Sequence, residues 1–347
     1  MDHAKQPELA DGIRQMRVMV VGGGSIGARH MRNLTGLGLE RLALVEPESK
    51  RRQALCREAG AVGFADLSES CNWHPDLAII ASPTHLHAEQ ALTMARRNSH
   101  LFIEKPLSHS FEHLEELQEE IERRNLISLV ACNMRFHPGL MEVKRLLGEG
   151  EIGNITAARI QVGQYLPDWH PWEDYRQGYS ASQRLGGGVI LDAIHELDYT
   201  RWLLGEVEAV ACFSGKRSDL DIDTEDTAGI LLRFSGGAIG EVHLDYVQRD
   251  ARRTCHVIGD QGSIYWDIAE TAVRYYLAQE GDWRSYEIPG SWELNDMYVY
   301  EMDHLLKCLA GEEHSVQDVF EARRVLEIAL AARESARNST IVRLQDP

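Results

Sequence analysis

The first third of the chain alternates short apolar runs with longer stretches whose apolar positions recur at helical spacing. A continuously apolar run is typical of a strand that helices cover on both faces, as in a parallel sheet. We therefore predict strands over 17–21, 42–45, 77–81, 100–103 and 127–131, with helices over 28–37, 49–59, 84–97 and 111–124. This order predicts parallel βα units in a doubly wound Rossmann sheet.

From residue 155 the pattern changes to strand-like segments joined by short turns. These segments cover 155–164, 207–213, 227–234, 238–246, 253–258 and 263–266, and Ser235-Gly236-Gly237 is typical of a hairpin turn. A helix over 319–337 and an extended tail over 340–344 follow. We predict an α/β protein with an N-terminal Rossmann domain over 1–132 and a C-terminal α+β domain over 133–347 that has an open, mainly antiparallel sheet. The sequence does not decide which of the two domains the last helix, over 319–337, covers.

An antiparallel sheet joined by short turns can leave one face without helices. A face of this kind commonly buries itself against a second copy of the same chain. The pattern therefore predicts a homo-dimer or homo-tetramer that assembles through the C-terminal sheet.

Composition agrees with a folded two-domain chain and excludes several partners. The 347 residues, 44% of them hydrophobic, suffice for two cores. A formal charge of −18 repels polyanions, so we expect neither nucleic acid nor an anionic membrane as a partner. No apolar run reaches the roughly 20 residues of a spanning helix, and residues 1–15 are too polar for a signal peptide. We therefore expect a cytoplasmic protein.

The six cysteines are scattered without CxxC pairs, which argues against a zinc cluster and against a disulfide scaffold. His85-Leu86-His87 has no nearby cysteine or acid that would complete a ligand set, so a local or capping role is expected for it. We predict that the protein holds no metal.

A glycine turn follows the first strand directly. In Gly22-Gly23-Gly24-Ser25-Ile26-Gly27 the spacing is GxGxxG. Gly22 permits the tight turn, Gly24 lets the backbone approach a pyrophosphate, and Gly27 lets the helix pack closely on the strand. Ser25 and Ile26 lie within this turn, and the start of the helix that follows offers free N–H groups and the positive end of its dipole to the phosphates. The segment predicts a dinucleotide site.

Glu46 closes the second strand at the distance where an acid hydrogen-bonds the ribose 2′-hydroxyl of NAD and repels the 2′-phosphate of NADP. The position favours NAD as the cofactor. Lys50, Arg51 and Arg52 follow closely and could meet a 2′-phosphate, which leaves NADP open.

Two polar motifs follow strands at the carboxyl edge of the predicted sheet, where ligands bind in a doubly wound fold. Ser82, Pro83 and Thr84, with His87 after them, follow the third strand, and Glu104-Lys105-Pro106 follows the fourth. We expect Ser82 to Thr84, His87, Glu104 and Lys105 to line the cofactor site. Pro106 biases Lys105 toward an extended conformation, and Glu104 has a structural or lysine-orienting role.

A further pair of polar residues follows the turn Gly186-Gly187-Gly188. Asp192 and His195 are three positions apart, which puts them on one face of a helix. A histidine has a pKa suited to accepting a hydroxyl proton, and a neighbouring aspartate would orient its ring. Asp198 is an alternative partner for His195 or a cap.

The segment 165–176 is rich in aromatic and charged residues, and we interpret it as a substrate loop. Trp169 and Trp172 could pack on the apolar faces of a sugar ring, and polar contacts would come from Asp168, His170 and Arg176. The alternative is that the tryptophans bury against the sheet or a second copy. Arg135 could bind a substrate phosphate or carboxylate, or form a structural ion pair.

The chain resembles the glucose–fructose oxidoreductase, inositol dehydrogenase and rhizopine catabolism family, Gfo/Idh/MocA, over nearly its whole length. The resemblance rests on motifs in the family's order: the glycine turn through Gly27, Ser82-Pro83-Thr84 with His87, Glu104-Lys105-Pro106, and the segments 133–138, 150–153, 186–188 and 192–198. It implies a dinucleotide domain followed by an open-faced sheet domain that binds a sugar or polyol. Family members commonly separate the aspartate and histidine by four positions, whereas this chain has three.

The resemblance also implies a role for Lys105, because family members use the matching lysine to hydrogen-bond the reacting hydroxyl and stabilise developing negative charge. We expect an NAD(P)-dependent oxidoreductase that acts on a secondary hydroxyl of a sugar, sugar derivative, nucleotide sugar or cyclitol. Lys105, Asp192 and His195 are its expected catalytic residues, and Lys105, Arg135, Trp169, Trp172, Arg176, Asp192 and His195 its expected substrate contacts. Two alternatives stay open: a sugar sensor without turnover, and a glycoside hydrolase that cycles its NAD.

Overall fold

The computed structural model describes residues 11–169 and 174–345. The chain divides into two compact units, one formed by residues 1–131 and 295–323 and the other by residues 132–294 and 324–347. A stretch near the C-terminus therefore belongs to the first unit. Within the described residues, no helix combines the length and the apolar character that crossing a membrane requires.

The first unit is built on a parallel sheet, as the apolar runs predict. Within the described residues it has six strands in the order β3-β2-β1-β4-β5-β6, every neighbouring pair parallel. The strands are β1 Arg17–Val21, β2 Arg41–Val45, β3 Val62–Phe64, β4 Leu77–Ile80, β5 His100–Ile103 and β6 Ser128–Val130. β1 and β4 are neighbours although β2 and β3 lie between them in sequence, so the winding reverses beside β1. Ligands bind at such a switch point in doubly wound sheets.

Helices cover this sheet. They are α1 Asp11–Arg14, α2 Ser25–Gly36, α3 Ser49–Ala59, α4 His87–Arg96, α5 Leu114–Arg124 and α9 Asp296–Ala310. α9 lies far along the chain, yet its buried Met302, Leu305 and Leu306 join the same core as Val18 and Leu44. The unit thus completes its core with residues that follow the long stretch 132–294 of the second unit in the chain.

The second unit contains a mixed sheet. Within the described residues its order is β14-β13-β12-β11-β7-β10-β9-β8-β15, and only β7 and β10 pair in parallel. The strands are β7 Ile155–Gly163, β8 Val207–Gly215, β9 Thr227–Phe234, β10 Ile239–Asp245, β11 Arg252–Gly259, β12 Gly262–Asp267, β13 Ala272–Leu277, β14 Asp282–Glu287 and β15 Val342–Arg343. The predicted turn at 235–237 joins β9 to β10, with Gly237 at φ +86°.

Helices lie against one face of this sheet. They are α6 Pro138–Gly148, α7 Val189–Asp192 and α8 Ile194–Leu204, and α10 Val319–Asn338 starts in the first unit and continues into the second. α6 contacts β12 and β13, and α8 contacts β7 and β10. Along β9 and β10 every second residue is buried, such as Ile230 and Val242, and the residues between them, such as Leu231 and Glu241, are exposed. Within this unit the other face is therefore open.

Candidate functional site

The glycine turn between β1 and α2 has three positions with different surroundings. Gly22 has φ +102°, and a Cβ there would lie 2.6 Å from the carbonyl oxygen of Ala81. A Cβ at Gly27 would lie 1.9 Å from the carbonyl oxygen of Gly22. A Cβ at Gly24, in contrast, would meet no heavy atom within 4 Å. The surrounding backbone thus requires glycine at positions 22 and 27, whereas Gly24 borders open space.

The start of α2 is suited to an anion. The helix begins at Ser25 with Gly24 as its N-cap, and no side chain caps it. Uncapped N–H groups and the positive dipole end attract phosphate. The open space at Gly24 and this helix start therefore fit the pyrophosphate of NAD, which Gly24, Ser25, Ile26 and Gly27 would hold.

Glu46 is buried at the end of β2, and both of its carboxylate oxygens contact the backbone. Oε2 accepts a hydrogen bond from the N–H of Gly23 at 2.8 Å, and Oε1 accepts one from the N–H of Glu48 at 2.8 Å. The carboxylate is therefore fixed beside the glycine turn, which is the position that contact with the ribose of NAD requires.

His87 links the two polar motifs of the carboxyl edge. Its ring is buried, with Nδ1 2.8 Å from the carbonyl oxygen of Pro106 and Nε2 2.8 Å from that of Ser82. Burial lowers the pKa of His87, against the effect of these carbonyl contacts. The two contacts give His87 a supporting role at the ligand edge, and its contact with the cofactor stays a prediction.

Glu104 and Lys105 follow β5 at the same edge. The Glu104 carboxylate lies 2.6 Å from Nε2 of His30, which is fully buried on α2, and also accepts a hydrogen bond from the backbone N–H of Lys105 at 3.2 Å. The Lys105–Pro106 peptide bond is cis. Glu104 therefore connects the backbone at Lys105 to the helix that follows the glycine turn, and its lysine-orienting role stays a prediction.

In the second unit, Asp192 is the centre of a hydroxyl network. Its buried carboxylate accepts hydrogen bonds from the hydroxyls of Tyr179, of Ser180 at 2.6 Å and of Tyr246 at 3.0 Å. Burial, and then the charge of Asp192, raise the pKa of Tyr246 well above its usual value. The hydroxyl therefore stays protonated and donates a hydrogen bond to Asp192. Hydrogen bonds to a carboxylate favour its charged form.

The glycine triplet before α7 makes this network possible. A Cβ at Gly187 would lie 2.0 Å from the carbonyl oxygen of Tyr179, so glycine is needed where the two segments pass each other. The N–H of Gly188 donates to the carbonyl of Ser180 at 3.2 Å. These contacts hold Tyr179 and Ser180 where their hydroxyls reach Asp192.

The expectation that Asp192 and His195 share one helical face is wrong. α7 ends at Asp192, and Ala193, with φ −90° and ψ 33°, separates it from α8, which begins at Ile194. The N–H of Ala193 donates to the carbonyl of Val189 and closes α7, while the Ala193 carbonyl accepts from Glu196 and opens α8. The two residues are thus on successive helices, and His195 is buried in the first turn of the second.

The start of the predicted substrate loop packs near this network. Trp169 is half-buried and meets Tyr246 edge-to-face, with ring centroids 5.4 Å apart. Its indole N–H donates to the carbonyl of Gln164 at 3.3 Å. His170 and Trp172 lie outside the described residues. Trp169 therefore touches the tyrosine that binds Asp192, and a substrate contact stays a prediction.

Two arginines that the sequence offers as substrate contacts form ion pairs. Nε and Nη2 of Arg135 donate to the two carboxylate oxygens of Asp198 at 2.9 and 2.8 Å, and both side chains are buried. Arg176 is exposed and pairs with Asp174 at 2.7 Å. Asp198 is therefore the partner of Arg135 in a buried ion pair, which is one of the two roles that the sequence indicates for Arg135.

Four residues of these networks were missed by sequence reasoning: His30, Tyr179, Ser180 and Tyr246. His30 carries a usable signal, because it lies with Gly27 and Leu34 on the buried face of α2, where a polar residue needs a partner. The other three have no such local signal. Among the described residues, no group of three or more His, Cys, Asp or Glu side chains is placed to hold a metal ion.

Comparison with known proteins gives matches to both units. The model of the oxidoreductase family with an NAD-binding Rossmann fold, GFO/IDH/MocA, matches residues 16–132. The model of the GFO/IDH/MocA C-terminal domain matches residues 140–265.

The chain is similar to curated and solved proteins over most of its length. It is 27% identical to myo-inositol 2-dehydrogenase of Thermotoga maritima over 349 aligned positions, which cover 95% of this chain and 99% of that protein. It is 25% identical to 2,7-anhydro-N-acetylneuraminate hydratase of Escherichia coli, covering 73% of this chain and 68% of that protein. The solved structure of levoglucosan dehydrogenase with NADH superposes with a TM-score of 0.85 at 22% identity, covering 96% of this chain and all of that one. The last match shows a shared fold.

Proposed function

Because this chain belongs to the GFO/IDH/MocA oxidoreductase family and has its NAD-binding Rossmann domain, we propose that it transfers a hydride between NAD and a secondary hydroxyl of a carbohydrate. The substrate class is a sugar, sugar derivative, nucleotide sugar or cyclitol. The observation that carries the proposal is the buried Asp192, held by three hydroxyl groups immediately before the helix that presents His195. Relatives named for inositol and levoglucosan support the substrate class.

Each proposed catalytic residue has one role. In the oxidative direction His195 accepts the proton of the substrate hydroxyl. Asp192, whose carboxylate accepts hydrogen bonds from three hydroxyls, would favour the charged form of a nearby imidazole. Lys105 donates a hydrogen bond to the reacting oxygen and stabilises its developing negative charge. NAD, when bound at the start of α2, supplies the hydride acceptor.

The contact of Trp169 with Tyr246, which binds Asp192, supports Trp169 as part of the substrate loop. Aromatic rings present an apolar face that fits the C–H groups of a sugar. Arg135 and Arg176 would meet a substrate only by sharing or leaving the ion pairs that hold them. We therefore give Trp169 the larger part in substrate affinity.

The test begins with a screen of polyols, aldoses, uronates and nucleotide sugars near neutral pH. Turnover of each compound is monitored by the absorbance of the reduced nicotinamide. With a productive compound, Lys105→Ala and His195→Ala are each expected to lower kcat at least about 100-fold, because a positioned proton acceptor or donor contributes this much. NADH affinity, measured by calorimetry, should change little. The exposed Lys216→Ala and His74→Ala serve as controls. Turnover close to that of the unchanged chain in both active-site variants would contradict the assignment.

One relative is named as a hydratase, and hydration involves no net oxidation or reduction. This name supports a second candidate, in which NAD is reduced and reoxidised within each cycle, as in NAD-dependent glycoside hydrolysis. The same screen separates the two candidates. Product formation without net NADH, from a cofactor that stays bound, would identify the cycling reaction.

We also propose that the protein is a homo-dimer or homo-tetramer assembled through the open face of the second sheet, and that it works in the cytoplasm. Phe213, Leu231 and Ile239 are 83%, 52% and 54% exposed in the single chain. Apolar surface of this kind supports burial against a second copy. The scattered cysteines without paired spacing suit a reducing compartment.

A further inference from the structure

Helices α2 and α3 both start at the carboxyl edge of the sheet, and they differ at their first turns. α2, after β1, has no side-chain cap. α3, after β2, is capped by Glu48, whose carboxylate accepts hydrogen bonds from the N–H groups of Lys50 at 2.8 Å and Arg51 at 2.7 Å. Free N–H groups at a helix start bind phosphate. The start of α2 is therefore open to a phosphate, whereas a carboxylate already occupies that of α3.

Glu48 is also tied to the acid that follows β2. Its backbone N–H donates to Oε1 of Glu46 at 2.8 Å, while Oε2 of Glu46 accepts from Gly23 at 2.8 Å. These bonds fix the segment 46–48 against the glycine turn. Two carboxylates are thus held in a short segment beside the place where the ribose of a dinucleotide binds.

The Glu48 carboxylate is ionised at neutral pH. The backbone N–H groups of Lys50 and Arg51 lower its pKa below the usual range. Its side chain is exposed, so a ligand at this edge of the sheet would meet the charge directly.

Of the three basic residues that follow, the two arginines already contact acceptors through their side chains. Nη1 of Arg52 donates to the backbone carbonyls of Glu46 and Pro47. Nη1 of Arg51 lies 3.6 Å from Oε2 of Glu46. A 2′-phosphate would therefore compete with existing acceptors for these guanidinium groups, and would face two carboxylates at the same time.

We propose that Glu48 is a specificity-determining residue: by capping α3 with a carboxylate, it acts with Glu46 to exclude the 2′-phosphate of NADP. The inference rests on the proposed use of NAD and adds a second determinant to Glu46. It predicts that replacing Glu46 alone leaves much of the discrimination in place.

The experiment measures binding of NADH and NADPH to the full chain by isothermal titration calorimetry, without substrate. In Glu48→Ser the hydroxyl can still cap α3 but the charge is gone, and Glu48→Gln removes the charge at nearly constant size. Each is expected to raise NADPH affinity about tenfold, with NADH affinity within about twofold of the unchanged chain. Glu46→Ser combined with Glu48→Ser should raise NADPH affinity further than either change alone.

Asp318→Ser is the matched control. Asp318 caps the first turn of α10 through the N–H of Glu321, next to β6 at the far edge of the same sheet, and its loss should leave the NADH to NADPH ratio unchanged. Unaltered NADPH affinity in both Glu48 variants, with NADH binding intact, would overturn the inference and leave the proposed function standing. An unchanged chain that binds neither nucleotide would overturn both.

Discussion

At the residue scale, the glycines of the first turn separate a requirement of folding from a requirement of binding. A side chain at Gly27 would collide with backbone, whereas one at Gly24 would enter open space. Gly24 also has φ −64°, a value that any residue adopts. The structure of the turn alone does not require glycine at position 24, and we propose that the close approach of a dinucleotide does.

Gly24→Ala is therefore expected to weaken NADH binding while the free energy of unfolding stays within about 0.5 kcal/mol. Gly27→Ala should lower the free energy of unfolding by about 2 kcal/mol or more, because the Gly22 carbonyl must move. Urea denaturation and calorimetry on the full chain measure both effects. Gly36→Ala is the control, since a Cβ there meets nothing within 4 Å on the same helix. Equal loss of stability at positions 24 and 27 would contradict this division.

The turn could be predicted from the sequence because its residues are contiguous and their spacing carries the geometry. The surroundings of Asp192 could not, because its partners come from Tyr179, Ser180 and Tyr246 on separate segments. The break at Ala193 was missed for a similar reason. Helical spacing predicts which residues share a face only while the helix continues.

At the scale of elements, helix α6 depends on an unusual cap. His137 is its N-cap, and the Nδ1 atom of the ring accepts a hydrogen bond from the N–H of Gly139 at 3.0 Å. The ring packs edge-to-face against Trp266 and Trp292, with centroids 4.9 and 4.5 Å away. Burial, and then the charge of Arg253, lower the pKa of His137 to about 4. A protonated ring would lose the acceptor that caps the helix.

The lowered pKa makes the start of α6 sensitive to acid. The unfolded chain binds a proton at His137 below about pH 6.5, while the folded chain resists protonation until about pH 4. Protonation of His137 therefore leaves the free energy of unfolding unchanged above about pH 6.5. As the pH falls toward 4, it lowers the free energy of unfolding by up to about 3 kcal/mol.

His137→Asn keeps an acceptor for the N–H of Gly139 without a titrating group. Its unfolding free energy should fall less than that of the unchanged chain between about pH 7.5 and about pH 5, measured by urea denaturation at both values. An identical pH dependence in the two proteins would contradict the role given to His137.

The sequence predicts most strands and helices, and the omission of β14 has a physical reason. β14 is exposed at every position, so it lacks the alternation that marks a strand with one buried face. β13, its neighbour, and α9 were missed as well. In contrast, β4 and β5 are almost wholly apolar because helices cover both of their faces.

At the scale of the whole molecule, the open face of the second sheet is expected to decide the state of assembly. A double change, Phe213→Asp with Leu231→Asp, places charges on this face and should lower the mass in solution to that of one chain. Light scattering coupled to size-exclusion chromatography measures it. Met141→Asp is the control, because Met141 is similarly exposed but lies on α6, a helix of the covered face. A mass that the double change leaves unaltered would contradict assembly through this face.

The composition of the first unit has a consequence for how the protein forms during synthesis. Its sheet strands leave the ribosome early, but Met302, Leu305 and Leu306, which complete the apolar core beneath them, are translated only after residues 132–294 of the second unit. A nascent or truncated chain that ends near residue 132 therefore exposes apolar surface that the finished protein buries. We expect such a fragment to bind chaperones and to aggregate, so cutting the gene near residue 132 should not give a stable dinucleotide domain.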